Sequence, residues 1–158
     1  MNQKQRKIFL TLFYSGLSQK APGTVGSFVS LILGMLLLNI FNITTLFLAA
    51  ILIFIIAVKE IDIYEKQVGK HDSKEIVIDE LVGMWIALSI GGVNPNNYIM
   101  GFVAFIYFRI FDIYKPLIIG KIDKETKGGL GVMGDDVVAG IFAGLSTALT
   151  YYLIDSFI

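Results

Sequence analysis

The sequence predicts an all-α fold, a multi-pass helical membrane bundle with about five membrane-embedded helices. The first reason is composition: the 158 residues are 55% hydrophobic and only 16% charged, with a mean hydropathy of +0.72, whereas soluble domains are about a quarter charged. The second is that long apolar stretches alternate with loops of two kinds, strongly charged and uncharged. Residues 1–158 are expected to form a single domain, because a chain of this length commonly does.

Five apolar stretches are the candidate helices, and they run in order over 27–40, 44–58, 76–93, 98–111 and 137–154. A helix of 18 residues is about 27 Å long, slightly less than the ~30 Å hydrocarbon core of a bilayer. The third and fifth stretches therefore nearly span a membrane, and the others need flanking residues, local thinning or a partner helix. A soluble bundle of very apolar helices is the alternative, since stretches of this length occur in both settings.

The charge of the loops favours the membrane. All thirteen basic residues lie in the segments 4–20, 59–74 and 109–127, while the connections 39–43 and 91–97 carry no charge. Because basic loops are retained in the cytoplasm, the N-terminus and both charged loops are expected on the cytoplasmic side. Twelve of the thirteen acids share that side, and Asp155 is the exception.

Composition also excludes several kinds of chemistry. The chain has no cysteine, which excludes a disulfide framework, a thiolate metal site and a cysteine nucleophile. The single histidine, His71, excludes a mechanism that needs two. The equal numbers of basic and acidic residues, thirteen each, give no global field for nucleic acid, so no nucleic-acid partner is expected. A homo-oligomer is left open.

The segment 21–27 precedes the first apolar stretch. Its proline and glycines form a turn, and Thr24 or Ser27 can cap the helix through a side-chain oxygen. Exposed N–H groups at a helix start also attract phosphate. Taken alone, the 21–27 motif favours helix capping over phosphate binding.

Acidic residues open the third stretch. Asp79 and Glu80 lie in its first turns, after His71 and Asp72. Carboxylates in a membrane helix are costly and indicate function by default, and the helix dipole favours them near the N-terminus. Adjacent helical residues point about 100° apart, so one acid is expected to bind a metal while the other anchors a neighbouring helix. The alternatives are a structural salt bridge and, for His71, a solvated loop position.

A charged triplet ends the fourth stretch. Arg109, Asp112 and Lys115 are spaced i, i+3, i+6, which keeps them on one face, and Pro116 is expected to end the helix. A planar guanidinium and a lysine beside a carboxylate suit a phosphate next to a metal. An intrahelical ion pair with a snorkelling lysine is the alternative.

Four glycines in seven residues, 128–134, lead into the last stretch and allow a close approach to a ligand or a sharp bend. Asp135 and Asp136 follow at a predicted helix start, where one of them could be an N-cap. A cap explains one acid and not both, and two more carboxylates on the same side make a Mg²⁺ site plausible.

These loops bring five acids, two cations and helix N-termini to one membrane interface. Carboxylates with Mg²⁺ and cationic clamps are the parts that phosphoryl chemistry uses, and the location favours a phosphate at lipid-headgroup level. Charges in membrane helices also occur in transporters, so a small membrane transporter that uses the Asp/Arg cluster as coupling groups is the alternative. A transporter, however, usually has its site near the midplane.

The motifs together resemble the phosphatidylglycerophosphatase A family of bacterial membrane phosphatases. The matching blocks are APGTVGS (21–27), HDSKEIVIDELVGMW (71–85), FRIFDIYKP (108–116) and GGLGVMGDDVVAG (128–140), in the family's order. The resemblance implies Mg²⁺-dependent removal of the terminal phosphate of phosphatidylglycerophosphate, giving phosphatidylglycerol, by a helical protein of the cytoplasmic membrane. One departure is Ile118, where family members often carry a second proline.

The motif match implies a site made of Asp79, Glu80, Arg109, Asp112, Lys115, Asp135 and Asp136, with His71, Asp72 and Thr24 as lesser members. Asp79, Asp135 and Asp136, with Glu80, are the expected ligands of one or two Mg²⁺ ions. Thr24, Arg109 and Lys115 are the expected phosphate-binding residues. Catalytic roles are expected for Asp79, Glu80, Asp112, Arg109, Lys115 and His71, with Glu80 or Asp112 taking the proton of the attacking water. A covalent mechanism, in which one Asp forms an acyl-phosphate intermediate, is the alternative to direct attack by water.

Overall fold

The computed structural model describes residues 1–69, 73–116 and 118–157, apart from the side chains of residues 123 and 124. Within that part of the chain every regular element is helical, which confirms the all-α prediction. The elements are α1 (Gln3–Leu10), a 3₁₀ turn (Ser15–Leu17), α2 (Pro22–Leu38), α3 (Ile43–Val68), α4 (Ile78–Ile90), α5 (Tyr98–Tyr114), α6 (Ile118–Glu125) and α7 (Gly129–Phe157).

Helix α4 is the centre of the bundle and packs against α2, α3, α5 and α7. Its residues are apolar nearly all round, as expected of a helix surrounded by others, and ten of its thirteen residues are buried. The two acids in its first turn are thereby carried into the middle of the protein at one end of the bundle.

Glycines set the close packing of α7 on α4. A Cβ on Gly140 would lie 2.3 Å from the carbonyl oxygen of Gly83, and a Cβ on Gly83 would lie 2.6 Å from the carbonyl oxygen of Asp136. Small residues of this kind let two helix backbones approach each other, which is typical of membrane bundles. The contact brings the acids of α7 beside those of α4.

Helix α2 is held to the other side of α4. Gly26 faces Val77, with a hypothetical Cβ only 2.7 Å from the Val77 Cβ, and the Trp85 Nε1–H donates to the carbonyl oxygen of Ser30 at 3.0 Å. These contacts fix the start of α2 against the start of α4.

Two helix starts differ from the prediction. Helix α2 begins at Pro22 with Ala21 at its N-cap and no side-chain capping bond, so the prediction that Thr24 or Ser27 caps it was wrong. Proline is accommodated at the first helical position because that N–H needs no partner.

Helix α7 begins at Gly129, so the glycine-rich segment is mostly helix and the two acids lie in its second turn. The N-cap interpretation of Asp135 or Asp136 was therefore wrong. The Gly129 N–H donates instead to Asp62 Oδ1 of α3 at 2.7 Å. A Cβ on Gly129 would lie 2.2 Å from the Val58 carbonyl oxygen, so the glycine permits this docking.

The five apolar stretches largely coincide with α2, α3, α4, α5 and α7. Among the described helices, α7 is long and apolar enough to cross a membrane, while α2 is apolar but shorter. Large apolar side chains cover the outside of the bundle, for example Leu52 at 59% exposure, Ile99 at 77% and Leu149 at 59%. One spanning helix is thus supported by length and composition, and five spans stay a prediction.

Candidate active site

A cavity of about 220 Å³ lies where α2, α4 and α7 begin and α5 ends. All five acids predicted for the site line it: Asp79, Glu80, Asp112, Asp135 and Asp136. Lys115 and Lys74 supply positive charge to the same wall, and Pro22 and Gly23 contribute the start of α2. The predicted convergence of these acids is therefore found in the structure.

Arg109 is the main counter-ion of this cluster. Its Nη1 donates to Asp112 Oδ2 at 2.6 Å and to Glu80 Oε2 and Oε1 at 2.9 and 3.0 Å. Its Nη2 donates to Thr24 Oγ1 at 3.3 Å. One guanidinium thus joins α2, α4 and α5, and with 14% of its side chain exposed the charge interactions are only weakly screened by solvent. The intrahelical Arg109–Asp112 pair is present, but as part of a larger network.

Ser27 and Gly23 complete the environment of Glu80. The Ser27 hydroxyl lies 2.5 Å from Glu80 Oε2 and accepts from Arg109 Nη1 at 3.0 Å. A Cβ on Gly23 would lie 2.4 Å from Glu80 Oε1, so only glycine lets α2 approach this carboxylate so closely. Neither residue is among the predicted site residues, although both lie inside the 21–27 motif.

Three of the acids form the tightest oxygen cluster. One carboxylate oxygen each from Glu80, Asp112 and Asp136 lies within 4.8 Å of the other two. Oxygen donors in this arrangement are the ligands that Mg²⁺ prefers, and the donor set therefore fits a hard divalent cation. The predicted ligands are Asp79, Glu80, Asp135 and Asp136, and Asp112 is predicted to be catalytic. The tight group shares Glu80 and Asp136 with that ligand set and contains Asp112 in addition.

The remaining two acids have separate neighbours in the same cavity. Lys115 Nζ lies 2.6 Å from Asp135 Oδ2, which is a salt bridge between the end of α5 and α7. Asp79 Oδ1 accepts the backbone N–H of Glu80 at 2.9 Å. Five acids thus surround the cavity, and Arg109 and Lys115 are cations bonded to them in the described residues.

The segment that leads into α4 is held by α3. The Tyr64 hydroxyl donates to Glu75 Oε1, and burial, aided by the bond to Glu75 and its charge, raises the pKa of Tyr64 to about 12. The tyrosine therefore stays a neutral donor over the physiological range. Since Lys74 precedes Glu75, this contact also fixes the rim of the cavity.

Some predicted site residues do not line the cavity. Thr24 and Arg109, which are joined by a hydrogen bond, both lie on an adjoining groove, and Arg109 is connected to the cavity through its bonds to Glu80 and Asp112. His71 and Asp72 lie outside the described residues, so their predicted roles stay predictions. Ile118, the position of the missing proline, begins α6.

Comparison with known proteins gives a consistent family. The family model for Phosphatidylglycerophosphatase A matches residues 8–151. The chain is 36% identical over 143 residues to Phosphatidylglycerophosphatase A of Haemophilus influenzae, covering 90% of this chain and 86% of the relative. It is 35% identical over 145 residues to Phosphatidylglycerophosphatase A of Escherichia coli, covering 89% and 78%.

A third relative has a different name. A protein of Bacteroides thetaiotaomicron named "Putative phosphatidylinositol-3-phosphatase" is 37% identical over 148 residues, covering 91% of this chain and 92% of the relative. No solved structure matches the chain. All three relatives are named as phosphatases of phospholipids, so the names differ in the headgroup and agree in the reaction class.

Proposed function

The chain belongs to the phosphatidylglycerophosphatase A family of phosphoric monoester hydrolases, and from that premise we propose that it hydrolyses the terminal phosphate of phosphatidylglycerophosphate in a Mg²⁺-dependent reaction. The products are phosphatidylglycerol and inorganic phosphate. The single observation that carries the proposal is the 220 Å³ cavity with five carboxylates and two bonded cations at one end of the bundle.

The ion is assigned first to Glu80, Asp112 and Asp136, because their oxygens form the tight cluster. Asp79 and Asp135 line the same cavity and would hold a second ion or water ligands of the first. When bound, Mg²⁺ supplies charge that polarises the phosphoryl oxygens and lowers the pKa of the attacking water.

Arg109 and Lys115 are assigned to the phosphate. Both are already fixed by carboxylates, Arg109 by Asp112 and Lys115 by Asp135, so little reorganisation accompanies the development of charge on the phosphoryl oxygens. In the arrangement with a single ion, Asp79 lies outside the tight cluster and lines the cavity, which suits it to accept a proton from the attacking water.

The membrane setting rests on the outside of the protein. Large apolar side chains are exposed along α2, α3, α5 and α7, such as Ile32, Leu52, Phe102 and Leu149, and an apolar exterior of this extent is expected against lipid rather than water. We place the cavity at the cytoplasmic headgroup level, because it lies at the end of the bundle that carries the basic loops.

Phosphatidylinositol 3-phosphate is the second candidate substrate, favoured by the name of the Bacteroides relative. Both lipids present a phosphate monoester beyond a phosphodiester, so the same cavity chemistry serves either. The transporter alternative has no support in the comparisons, since the relatives are named as phosphatases.

The test is phosphate release by the purified protein in detergent, with phosphatidylglycerophosphate, phosphatidylinositol 3-phosphate and phosphatidate supplied separately. We expect release to be fastest from phosphatidylglycerophosphate, to stop with EDTA and to return with excess Mg²⁺. Faster release from phosphatidylinositol 3-phosphate would reassign the substrate. Phosphate release that is insensitive to EDTA would contradict the proposed Mg²⁺ dependence. No release from any of the three lipids would contradict the proposed phosphatase activity.

A further inference from the structure

We infer that a groove along the outer face of α5 holds an acyl chain of the lipid substrate, with Arg109 as the boundary between this groove and the acidic cavity. The inference rests on the proposed function and adds to it where the apolar part of the substrate lies. We call this feature the α5 groove; Phe105, Ile106, Ile110, Ile113 and Tyr114 line it, together with Thr24 and Arg109.

The α5 groove has the size and chemistry of a hydrocarbon site. Its volume is about 290 Å³, just below the range of roughly 300–1,000 Å³ for whole small-molecule sites. Ile106, Ile110 and Ile113 follow the i, i+4, i+7 spacing of one helix face and are 43%, 43% and 63% exposed. From Phe105 to Tyr114 the groove follows about 13 Å of helix.

Arg109 connects the groove to the chemistry. The side chain lines the groove, and its two terminal nitrogens reach in different directions: Nη2 to Thr24 at 3.3 Å and Nη1 to Asp112 at 2.6 Å. A lipid phosphate needs a charged end among the cavity cations and an apolar end that leaves it. The guanidinium lies at the junction between the two environments, so both ends of one molecule can be satisfied at once.

The polar end of the groove also lies at the level expected for headgroups. Tyr114 is 79% exposed and ends α5 directly before Lys115. Aromatic and basic residues in this order are typical of a membrane–water interface, with the ring at the headgroup level. The groove then continues from Tyr114 toward the middle of α5, in the direction that hydrocarbon takes.

A second apolar cavity in the described chain lacks this connection. It measures about 280 Å³ and is lined by α1, α2, α3 and α4, including Phe9, Leu33 and Trp85. None of its lining residues bonds to an acid of the active-site cavity; the Trp85 indole, for example, donates to Ser30. Size alone therefore does not choose between the two apolar cavities, whereas continuity through Arg109 does.

The test is a chain-length comparison with Ile106→Trp, which fills the groove one turn away from Arg109. Ile51→Trp is the matched control, because Ile51 is 39% exposed on α3 and lines neither apolar cavity. For each protein we would measure kcat/KM on dioleoyl and dihexanoyl phosphatidylglycerophosphate in the same micelles and take the ratio. Each buried methylene is worth roughly fourfold in affinity.

We expect the wild type and Ile51→Trp to prefer the dioleoyl substrate by at least roughly tenfold, and Ile106→Trp to lose most of that preference through KM while its rate on the dihexanoyl substrate is kept. If Ile106→Trp does not fold, Ile113→Trp at the more exposed rim serves the same purpose. An equal dioleoyl-to-dihexanoyl ratio in the groove and control variants would overturn the inference. A changed oligomeric state with an unchanged ratio would also overturn it, because the groove would then be a contact between copies of the chain. If the wild type hydrolyses both lipids with no preference for chain length, the acyl-chain assignment is wrong and the proposed function stands. If it hydrolyses neither lipid, the proposed function itself is contradicted.

Discussion

Helices α2 to α5 start in different ways at the two ends of the bundle. At the end away from the cavity, Asn42 caps α3 by accepting the Thr45 N–H at 2.8 Å, and Asn97 caps α5 by accepting the Met100 N–H at 3.1 Å. At the cavity end, α2 and α4 have Ala21 and Val77 at their N-caps, and neither residue makes a side-chain capping bond in the described structure.

The difference shows what the polar residues of each end contribute. The asparagine side chains of the far end accept N–H groups in the first turn of their own helices. Each such cap stabilises the folded protein by about 1 kcal/mol. At the cavity end, by contrast, Ser27 of α2 and Arg109 of α5 bind to Glu80, a side chain of another helix. Helix starts without a capping side chain also direct backbone N–H groups and positive dipole ends toward this region, which favours an anionic substrate.

The largest effect is expected from removing a charge of the tight cluster. Asp136→Asn keeps the size of a residue that is 4% exposed and removes one of the proposed anionic ligands, so phosphate release should fall by roughly 100-fold or more. Asp155→Asn at the far end of α7 is the control and should leave the rate unchanged. Equal rates for both variants would mean that the two ends do not differ in the way proposed.

The two arginines of the chain provide the next comparison, since both form ion pairs, Arg6 in a buried position and Arg109 in a half-buried one. Arg109→Lys removes the planar fork that reaches Thr24 and Asp112, so activity should fall by roughly 10- to 100-fold. Arg6→Lys disturbs the bond to Glu60 at 2.7 Å and should lower the free energy of unfolding by about 1–3 kcal/mol with activity retained. Thermal unfolding and phosphate release measured on both variants would separate the two roles. A parallel loss of stability and activity in both would assign Arg109 a structural role.

A smaller effect is expected from the contact between α2 and Glu80. Gly23→Ala places a Cβ 2.4 Å from Glu80 Oε1, which must displace the carboxylate and should lower activity roughly tenfold. Gly134→Ala is the matched control in α7, where the nearest atom is 3.3 Å from the new Cβ and belongs to the Ile122 side chain. The control should keep its activity, because the Ile122 methyl has to move by only a few tenths of an ångström and Ile122 is not among the described residues that line the cavity. An active Gly23→Ala enzyme would show that the position of Glu80 matters less than its charge.

The smallest effect belongs to the far end. Asn97→Ala removes the α5 cap and should lower the free energy of unfolding by about 1 kcal/mol without changing turnover. The measurement is denaturation in detergent alongside the phosphate assay. A loss of turnover larger than the loss of folded protein would mean that the far end also contributes to the reaction.

The sequence predicted most of the architecture because the responsible patterns are local. The positions of the helices follow from apolar stretches of sufficient length. The end of α5 follows from Pro116, which lies after its charged last turn. The convergence of five acids could be predicted as well, since the charged loops lie on one side of alternating helices. The short helices α1 and α6 were not predicted, since both lie in polar segments without a long apolar stretch.

What could not be predicted depends on contacts between distant segments. Helix α7 starts at Gly129 because Asp62 of another helix accepts its first N–H and the glycine fits against Val58. The composition of the tight cluster depends on how far α4 is rotated about its axis, which turns Glu80 rather than Asp79 toward Asp112. Their adjacency in the sequence sets the angle between Asp79 and Glu80 about the helix axis. The rotation of α4 as a whole is determined by its packing against the other helices.

The central claim is that Glu80, Asp112 and Asp136 share one divalent cation. The most direct measurement is Mn²⁺ binding to the purified protein, followed by electron paramagnetic resonance, for the wild type and for Asp112→Asn with Asp136→Asn, with Asp155→Asn as the control. We expect the wild type and the control to bind Mn²⁺ in competition with Mg²⁺, and the double variant to lose that binding while it stays folded. Unchanged Mn²⁺ affinity in the folded double variant would contradict the claim.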